Sequence, residues 1–139
     1  MHTHFAGCLT SVYSKGNACV FDEEFNKLAP LLESSDMVVF ATPMYWFTFT
    51  AQLKAGIDKI YSLLTGGRES TVRESMLLAC GECLDLSDFE GLIKTYQSIA
   101  RYLDWTDAGI LTVPAVSKKG DVLKTGFLEE AERMGREIK

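Results

Sequence analysis

Three short, mainly apolar stretches give the first indication of how this chain is built. Met37–Ala41 is apolar at every position and lies between Ser34-Ser35-Asp36 and Thr42-Pro43. Ser75–Cys80 and Gly109–Val113 are the other two stretches. A strand that is apolar on both faces is typical of a parallel sheet buried between helices. These three segments are therefore predicted to be buried strands.

Around these strands, apolar residues recur every three or four positions, which is the spacing of an amphipathic helix. Pro30 lies inside the first such segment and predicts a short or kinked helix. Ser87 and Glu90 have the spacing of a capping box, which would start the third helix. Helices alternating with strands predict one α/β domain, residues 1–139, with a short parallel sheet covered on both sides. The predicted helices are Asp22–Ser34, Ala51–Leu64, the segment carrying inward residues from Phe89 to Leu103, and Phe127–Ile138.

Two loops follow the predicted strands and are the candidates for ligand contact. In open parallel sheets, ligands bind outside the carboxyl ends of the strands. The first loop is a compact run with three aromatic residues, and the second is a C-x-x-C segment, Cys80-Gly81-Glu82-Cys83. The residues of the first loop are Thr42, Pro43, Met44, Tyr45, Trp46 and Phe47.

Composition and charge exclude several classes of function. A net charge of −5 over 139 residues argues against nucleic-acid binding. The apolar runs are too short to span a membrane, and the first residues lack the pattern of a signal peptide, so a cytoplasmic protein with reduced cysteines is expected. His2 and His4 are the only histidines. A Ser-His or Cys-His nucleophile and a metal site are therefore not expected, and no catalytic side chain is identified.

The segment Ser35–Trp46, followed by Ala51–Lys59, closely resembles the NADPH-dependent FMN reductase family. That family shows a buried strand, then Pro-x-Tyr-Trp, then Ala-Gln-Leu-Lys and an Asp with a basic neighbour. Cys19–Glu23 and Val116–Gly120 extend the similarity. The resemblance implies a flavodoxin-like three-layer α/β/α fold that binds FMN at residues 42–47, Gly81 and Glu82. It also implies hydride transfer from NAD(P)H through the flavin to a small-molecule electron acceptor such as a quinone or a free flavin.

The N-terminal strand, phosphate loop, helix and strand of that family have no counterpart in the sequence. Without this βαβ unit, Met37–Ala41 would be a sheet edge, and an apolar edge strand is prone to pair with another chain. We therefore expect a homodimer formed through this edge. The alternatives are that the native gene encodes further residues, or that a second chain supplies the first strands.

Cysteine spacing separates this chain from relatives of the iron–sulfur flavoprotein type, which carry four cysteines near the N-terminus. In the register set by Gly7-Cys8, the four positions are Phe5, Cys8, Ser11 and Cys19. Because a cluster of this kind needs four thiolates, no iron–sulfur cluster is expected.

Each candidate motif also has an alternative interpretation. The aromatic residues of the first loop could cap the core instead of contacting flavin. The C-x-x-C segment could be redox-active or half of a metal site, although two incidental thiols are the favoured interpretation. A non-catalytic module that serves in dimerisation or partner binding is the alternative to the enzyme.

Overall fold

The computed structural model describes residues 23–65 and 70–138. Within them, helices and strands alternate in the predicted order, and two short 3-10 turns are added, at Leu86–Phe89 and Asp121–Lys124. The main elements are α1 (Glu23–Ser34), β1 (Met37–Pro43), α2 (Ala51–Thr65), β2 (Glu74–Cys80), α3 (Glu90–Tyr102), β3 (Thr106–Val113) and α4 (Phe127–Glu137).

The three strands form one parallel sheet in the order β1-β2-β3. Phe40 pairs with Leu77, and Leu77 pairs with Ile110 in the next strand. At the carboxyl edge, Pro43, Cys80 and Val113 lie in one row of the register. The loops that follow the three strands therefore start side by side. This arrangement of one parallel sheet with helices confirms the predicted α/β fold.

The chain divides into two compact units, and α1 and α2 belong to the first. Phe25, Ala29 and Leu63 form the core of this unit. The α1 helix continues through Pro30 to Ser34, although proline has no N–H to donate to the helical hydrogen bonds. Leu31 is 60% exposed, whereas Ala29 is fully buried on the same helix.

The sheet, α3 and α4 belong to the second unit. Phe40 packs against Tyr96 of α3, with ring centroids 6.0 Å apart. Met134 of α4 packs with Met76 and Leu111. Since successive strand residues point to opposite faces, α3 and α4 cover opposite faces of the sheet. Trp105 is also buried, and its ring stacks on that of Phe40 with the centroids 6.4 Å apart.

Burial differs between the central strand and β1. Leu77 and Met76 of β2 are buried although they face opposite sides of the sheet. In β1, Phe40 is buried, but Val39 on the other face is 42% exposed. The prediction that Met37–Ala41 is buried on both faces is therefore wrong. The physical reason is that Met134 of α4 packs on β2 and β3, which leaves Val39 of β1 partly exposed.

A polar network of two buried hydroxyl groups and the exposed carboxylate of Asp107 joins the amino ends of β2 and β3 to α3. The Tyr96 hydroxyl donates to Asp107 Oδ1 at 3.0 Å and lies 3.0 Å from Ser75 Oγ. The same Asp107 oxygen accepts from the amide of Gly109 at 3.0 Å. Each buried polar atom thus has a partner, which removes the penalty of burying it. Because this network lies at the edge opposite to the candidate loops, its role is structural.

The start of α3 also differs from the prediction. Asp85, and not Ser87, is the capping residue, and its carboxylate accepts from the Ser87 amide at 2.8 Å. This backbone hydrogen bond lowers the pKa of Asp85. Phe89 precedes α3 and makes no side-chain cap. The capping box of Ser87 and Glu90 is wrong because the 3-10 turn Leu86–Phe89 starts earlier and is capped at its own first residue.

Candidate functional site

The first loop is fastened to the sheet at its beginning. The buried Thr42 hydroxyl donates to the Pro43 carbonyl at 2.8 Å and accepts from the Thr50 amide at 3.4 Å. The Met44 amide donates to the Cys80 carbonyl at 2.7 Å. The segment between Thr42 and Thr50 is therefore a closed loop whose two ends are joined through one side chain.

A tight two-residue turn lies at the tip of this loop. The amide of Tyr45 donates to the Thr48 carbonyl at 3.1 Å, and the amide of Thr48 donates back at 3.2 Å. The central residues have positive φ angles, 49° at Trp46 and 63° at Phe47. Such a turn normally contains Asn and Gly, because bulky residues are disfavoured in the left-handed region. Strain of this kind is often found at functional sites and costs about 1–3 kcal/mol per residue.

The aromatic rings of the turn point outward. Tyr45 is 62% exposed, Trp46 is 91% exposed and Phe47 is 56% exposed. Phe49 takes the inward position instead, with its ring centroid 6.1 Å from that of Phe40. The interpretation that the aromatic residues 45–47 cap the core is therefore wrong. Three adjacent exposed rings on a strained turn form an apolar surface suited to a planar ligand.

The second loop lies beside the first and is built around Gly81. The Gly81 amide donates to the Val113 carbonyl at 3.0 Å, and the Gly81 carbonyl accepts from Val116 at 2.9 Å. A Cβ atom at Gly81 would lie 3.3 Å from Met44 Cε and 3.3 Å from Phe89 Cζ. Glycine at this position therefore allows the side chain of Met44 in the first loop to pack closely against the second loop. Glu82 follows with an exposed side chain.

The two cysteines of this loop are free thiols. Burial, followed by the charge of Asp88, raises the pKa of the Cys83 thiol. A thiol with a raised pKa is protonated at neutral pH, which makes it a poor nucleophile and a poor metal ligand. Within residues 23–65 and 70–138, no three His, Cys, Asp or Glu side chains are grouped as a metal site would require. The positions Phe5, Cys8, Ser11 and Cys19 lie outside the described residues.

A third loop follows β3 and was not predicted as part of the site, although its segment 116–120 entered the resemblance. The Ala115 amide donates to the Cys83 carbonyl at 2.8 Å, which attaches this loop to the second. Asp121 accepts hydrogen bonds from the Lys124 side chain and from the amides of Ser117 and Lys118. The bond from Lys124 lowers the pKa of Asp121 most, and the two amide bonds lower it further. The alignment of the strand ends was the signal that could have placed this loop at the site.

The charges around the site suit a ring better than a phosphate. Residues 42–50 carry no charged side chain, and residues 80–89 carry three acidic side chains and no basic one. Lys118 and Lys119, both exposed, lie on the third loop. The residues present therefore fit the apolar ring system of a flavin, whereas a phosphate group finds no basic partner on the first two loops.

Comparisons with known proteins agree with this arrangement. Residues 2–69 match the family described as Flavodoxin_2, a flavodoxin-like fold. The chain has the flavodoxin-like fold. This match and the structural neighbours confirm the flavodoxin-like fold that the resemblance implied. No described helix of this flavodoxin-like chain is both long and apolar enough to cross a membrane.

A curated relative of this flavodoxin-like chain is an iron-sulfur flavoprotein from Archaeoglobus fulgidus. It is 41% identical over 54 residues, which are 39% of this chain and 24% of the relative. The matched segment thus spans about a quarter of that protein's length.

Solved structures share the fold at low identity. The Trp repressor binding protein from Bacillus subtilis has a TM-score of 0.67 at 18% identity, covering 84% of this chain and 71% of that one. An NADPH-quinone reductase from P. pentosaceus has a TM-score of 0.59 at 13% identity, covering 97% and 87%. An FMN-dependent NADH-azoreductase from Bacillus anthracis, in complex with FMN, has a TM-score of 0.52 at 18% identity, covering 93% and 72%.

Proposed function

We propose that this chain binds the ring system of FMN and acts in flavin-dependent oxidoreduction, with NAD(P)H as electron donor and a quinone, flavin or other small molecule as acceptor. The observation that carries the proposal is the strained turn at Trp46 and Phe47, which holds exposed aromatic rings at the carboxyl end of β1. A flavodoxin-like fold places its ligand at this edge. The family match and the names of the neighbours support the same ligand class.

The residues of the two loops would bind and orient the flavin. Tyr45 and Trp46 offer aromatic faces for stacking, and stacking of a planar base on an aromatic side chain contributes about 1–3 kcal/mol. Gly81 keeps the second loop close to Met44, so that the two loops form one continuous surface. A bound flavin would accept hydride from NAD(P)H and pass electrons to the acceptor, while the protein supplies orientation.

The ring would contribute more of the binding than the phosphate does. The loops of β1 and β2 carry three acidic residues and no basic ones. Riboflavin, which has the same ring and no phosphate, is therefore expected to bind about as well as FMN. A large preference for FMN would contradict the site described here and would point to a phosphate contact elsewhere in the protein.

The test is a titration of the purified protein with FMN and with riboflavin, followed by flavin fluorescence. Trp46→Ala is expected to weaken both ligands about tenfold, which corresponds to the lower part of the stacking range. Tyr102→Ala is the matched control, because Tyr102 is a 70% exposed aromatic residue at the end of α3, away from the loops. Absence of saturable quenching by either flavin would sink the proposal.

A second candidate function is a module for dimerisation, and the exposure of Val39 favours it. Within the described residues, β1 pairs with β2 alone, and Val39 is partly open to solvent on an apolar strand. An edge strand of this kind can pair with the same strand of a second copy. Light scattering after size exclusion tests this: Val39→Lys should convert a dimer to a monomer, whereas a monomeric wild type excludes the homodimer.

A further inference from the structure

Gly91 occupies a helical position where glycine needs an explanation. It is the second residue of α3, and glycine is the poorest helix former after proline. Its φ angle is not positive, so its conformation does not require glycine. A Cβ atom at Gly91 would lie 3.2 Å from the Phe47 carbonyl oxygen and 3.9 Å from Phe47 Cβ. The missing side chain therefore gives room to the backbone of the aromatic turn.

Other helical glycines of the chain lack such a neighbour. At Gly56 in α2 and Gly135 in α4, an added Cβ atom would have no described atom within 4 Å apart from the adjacent residues and the backbone of its own helix. Close approach to a backbone carbonyl thus distinguishes Gly91 from these two. A carbonyl oxygen held by a tight two-residue turn cannot move aside as the end of a flexible side chain can.

We propose that Gly91 is a positioning residue for the flavin-binding turn, because its lack of a side chain lets the Phe47 carbonyl lie close against α3. The inference rests on the proposed function, since it assigns the turn to flavin. The Phe47 carbonyl belongs to the same planar peptide as the Thr48 amide. That amide closes the turn by donating to Tyr45 at 3.2 Å. Any displacement of the carbonyl therefore also displaces the hydrogen bond that closes the turn.

The strain of the turn makes this support necessary. Trp46 and Phe47 both adopt φ angles that their side chains disfavour, and such conformations persist only where the surroundings fix them. Phe49 anchors the loop on the core side through its contact with Phe40. Gly91 leaves the space in which the Phe47 carbonyl lies on the other side of the turn. With the turn seated in this way, the ring of Trp46 is presented to the ligand without rearrangement.

The experiment compares Gly91→Ala with Gly135→Ala, which makes the same change where nothing is close. Both substitutions favour the helix, but overpacking opposes this gain in Gly91→Ala, so Gly135→Ala should have the higher melting temperature. Gly91→Ala should bind FMN about tenfold more weakly, because the Phe47 carbonyl must shift by a few tenths of an ångström, and misplacing a positioning group by about 1 Å costs about a hundredfold. Gly135→Ala should bind FMN like the wild type. Equal affinities in all three proteins would overturn the inference.

A second measurement keeps the inference testable if FMN does not bind at all, in which case the proposed function fails by itself. The backbone amide resonances of Phe47 and Thr48 report the turn directly in NMR spectra of the free protein. They should move in Gly91→Ala and stay unchanged in Gly135→Ala. Unchanged resonances in Gly91→Ala would show that α3 does not position the turn.

Discussion

The amide of Met44 donates to the carbonyl of Cys80 at 2.7 Å, one residue beyond the last register pair of β1 and β2. This bond continues the pairing of β1 and β2 beyond the ends of the strands. The first residues of the aromatic loop and of the Gly81 loop are therefore held next to each other. Each loop is then expected to respond to changes in the other. A site built in this way is preorganised, and preorganisation reduces the entropy lost on binding.

The aromatic turn should be less stable than one of ordinary composition. Replacing Trp46 and Phe47 by Asn and Gly gives the preferred sequence for two positive φ angles. The double variant Trp46→Asn/Phe47→Gly is expected to raise the free energy of unfolding by about 1 kcal/mol, because it relieves strain at exposed positions. Urea denaturation measures this change, and the same variant should lose flavin binding.

The control for this variant is Trp46→Phe, which keeps both an aromatic ring and the strained conformation. It should retain wild-type stability and most of the flavin affinity. If the Asn-Gly turn leaves the protein no more stable than the wild type, the turn is not strained in solution.

Gly81 should tolerate no branched side chain. Gly81→Val places new atoms against Met44 and Phe89, which already lie 3.3 Å from the position of a Cβ atom. Overpacking of this kind costs about 1–3 kcal/mol and should separate the two loops. Denaturation and flavin titration together measure the effect. Gly126→Ala is the control, since an added Cβ atom there would have no described atom within 4 Å apart from the adjacent residues. An equal loss in both variants would contradict the role of Gly81.

The acidic surface of the second loop should weaken binding of anionic ligands. Glu82 is exposed beside Gly81, and neutralising it as Glu82→Gln leaves the backbone of the loop unchanged. FMN carries a phosphate, so its affinity is expected to rise by about twofold at low salt, with the gain reduced at high salt. Riboflavin affinity should stay constant. A change in riboflavin binding as large as that for FMN would indicate contact of the Glu82 side chain with the ring.

Stability should fall in strong alkali because of Tyr96. Burial is the largest effect on this group and raises the pKa of its hydroxyl well above the usual value of 10.0. The neutral form is thus favoured in the folded state, and the stability it contributes is complete below pH 10. As the pH rises above 10, the unfolded chain loses this proton first and stability decreases.

Denaturation at pH 8 and at pH 11 measures the decrease. Tyr96→Phe should lose about 1–3 kcal/mol at pH 8, because Ser75 and Asp107 lose a buried partner. It should also show a smaller decrease between the two pH values. An unchanged pH dependence in this variant would assign the alkaline loss to other groups.

The sequence predicted the elements better than it predicted the site. The apolar pattern placed all three strands, but β3 starts at Thr106 instead of Gly109, because backbone pairing also includes the polar residues Thr106 and Asp107. The loop after β1 was predicted from its position. Its left-handed turn was not, because Trp and Phe rarely adopt positive φ. The close approach of the Phe47 carbonyl to the side-chain position of Gly91 joins residues 44 positions apart, so no local pattern indicates it.

The contrast between the two tryptophans has a practical consequence. The chain contains only Trp46 and Trp105, of which the first is 91% exposed and the second 8%. Their emission should differ in colour, red-shifted for the solvated indole and blue-shifted for the one stacked on Phe40. One fluorescence spectrum of the unmodified protein then reports ligand contact in its red component and the integrity of the core in its blue component.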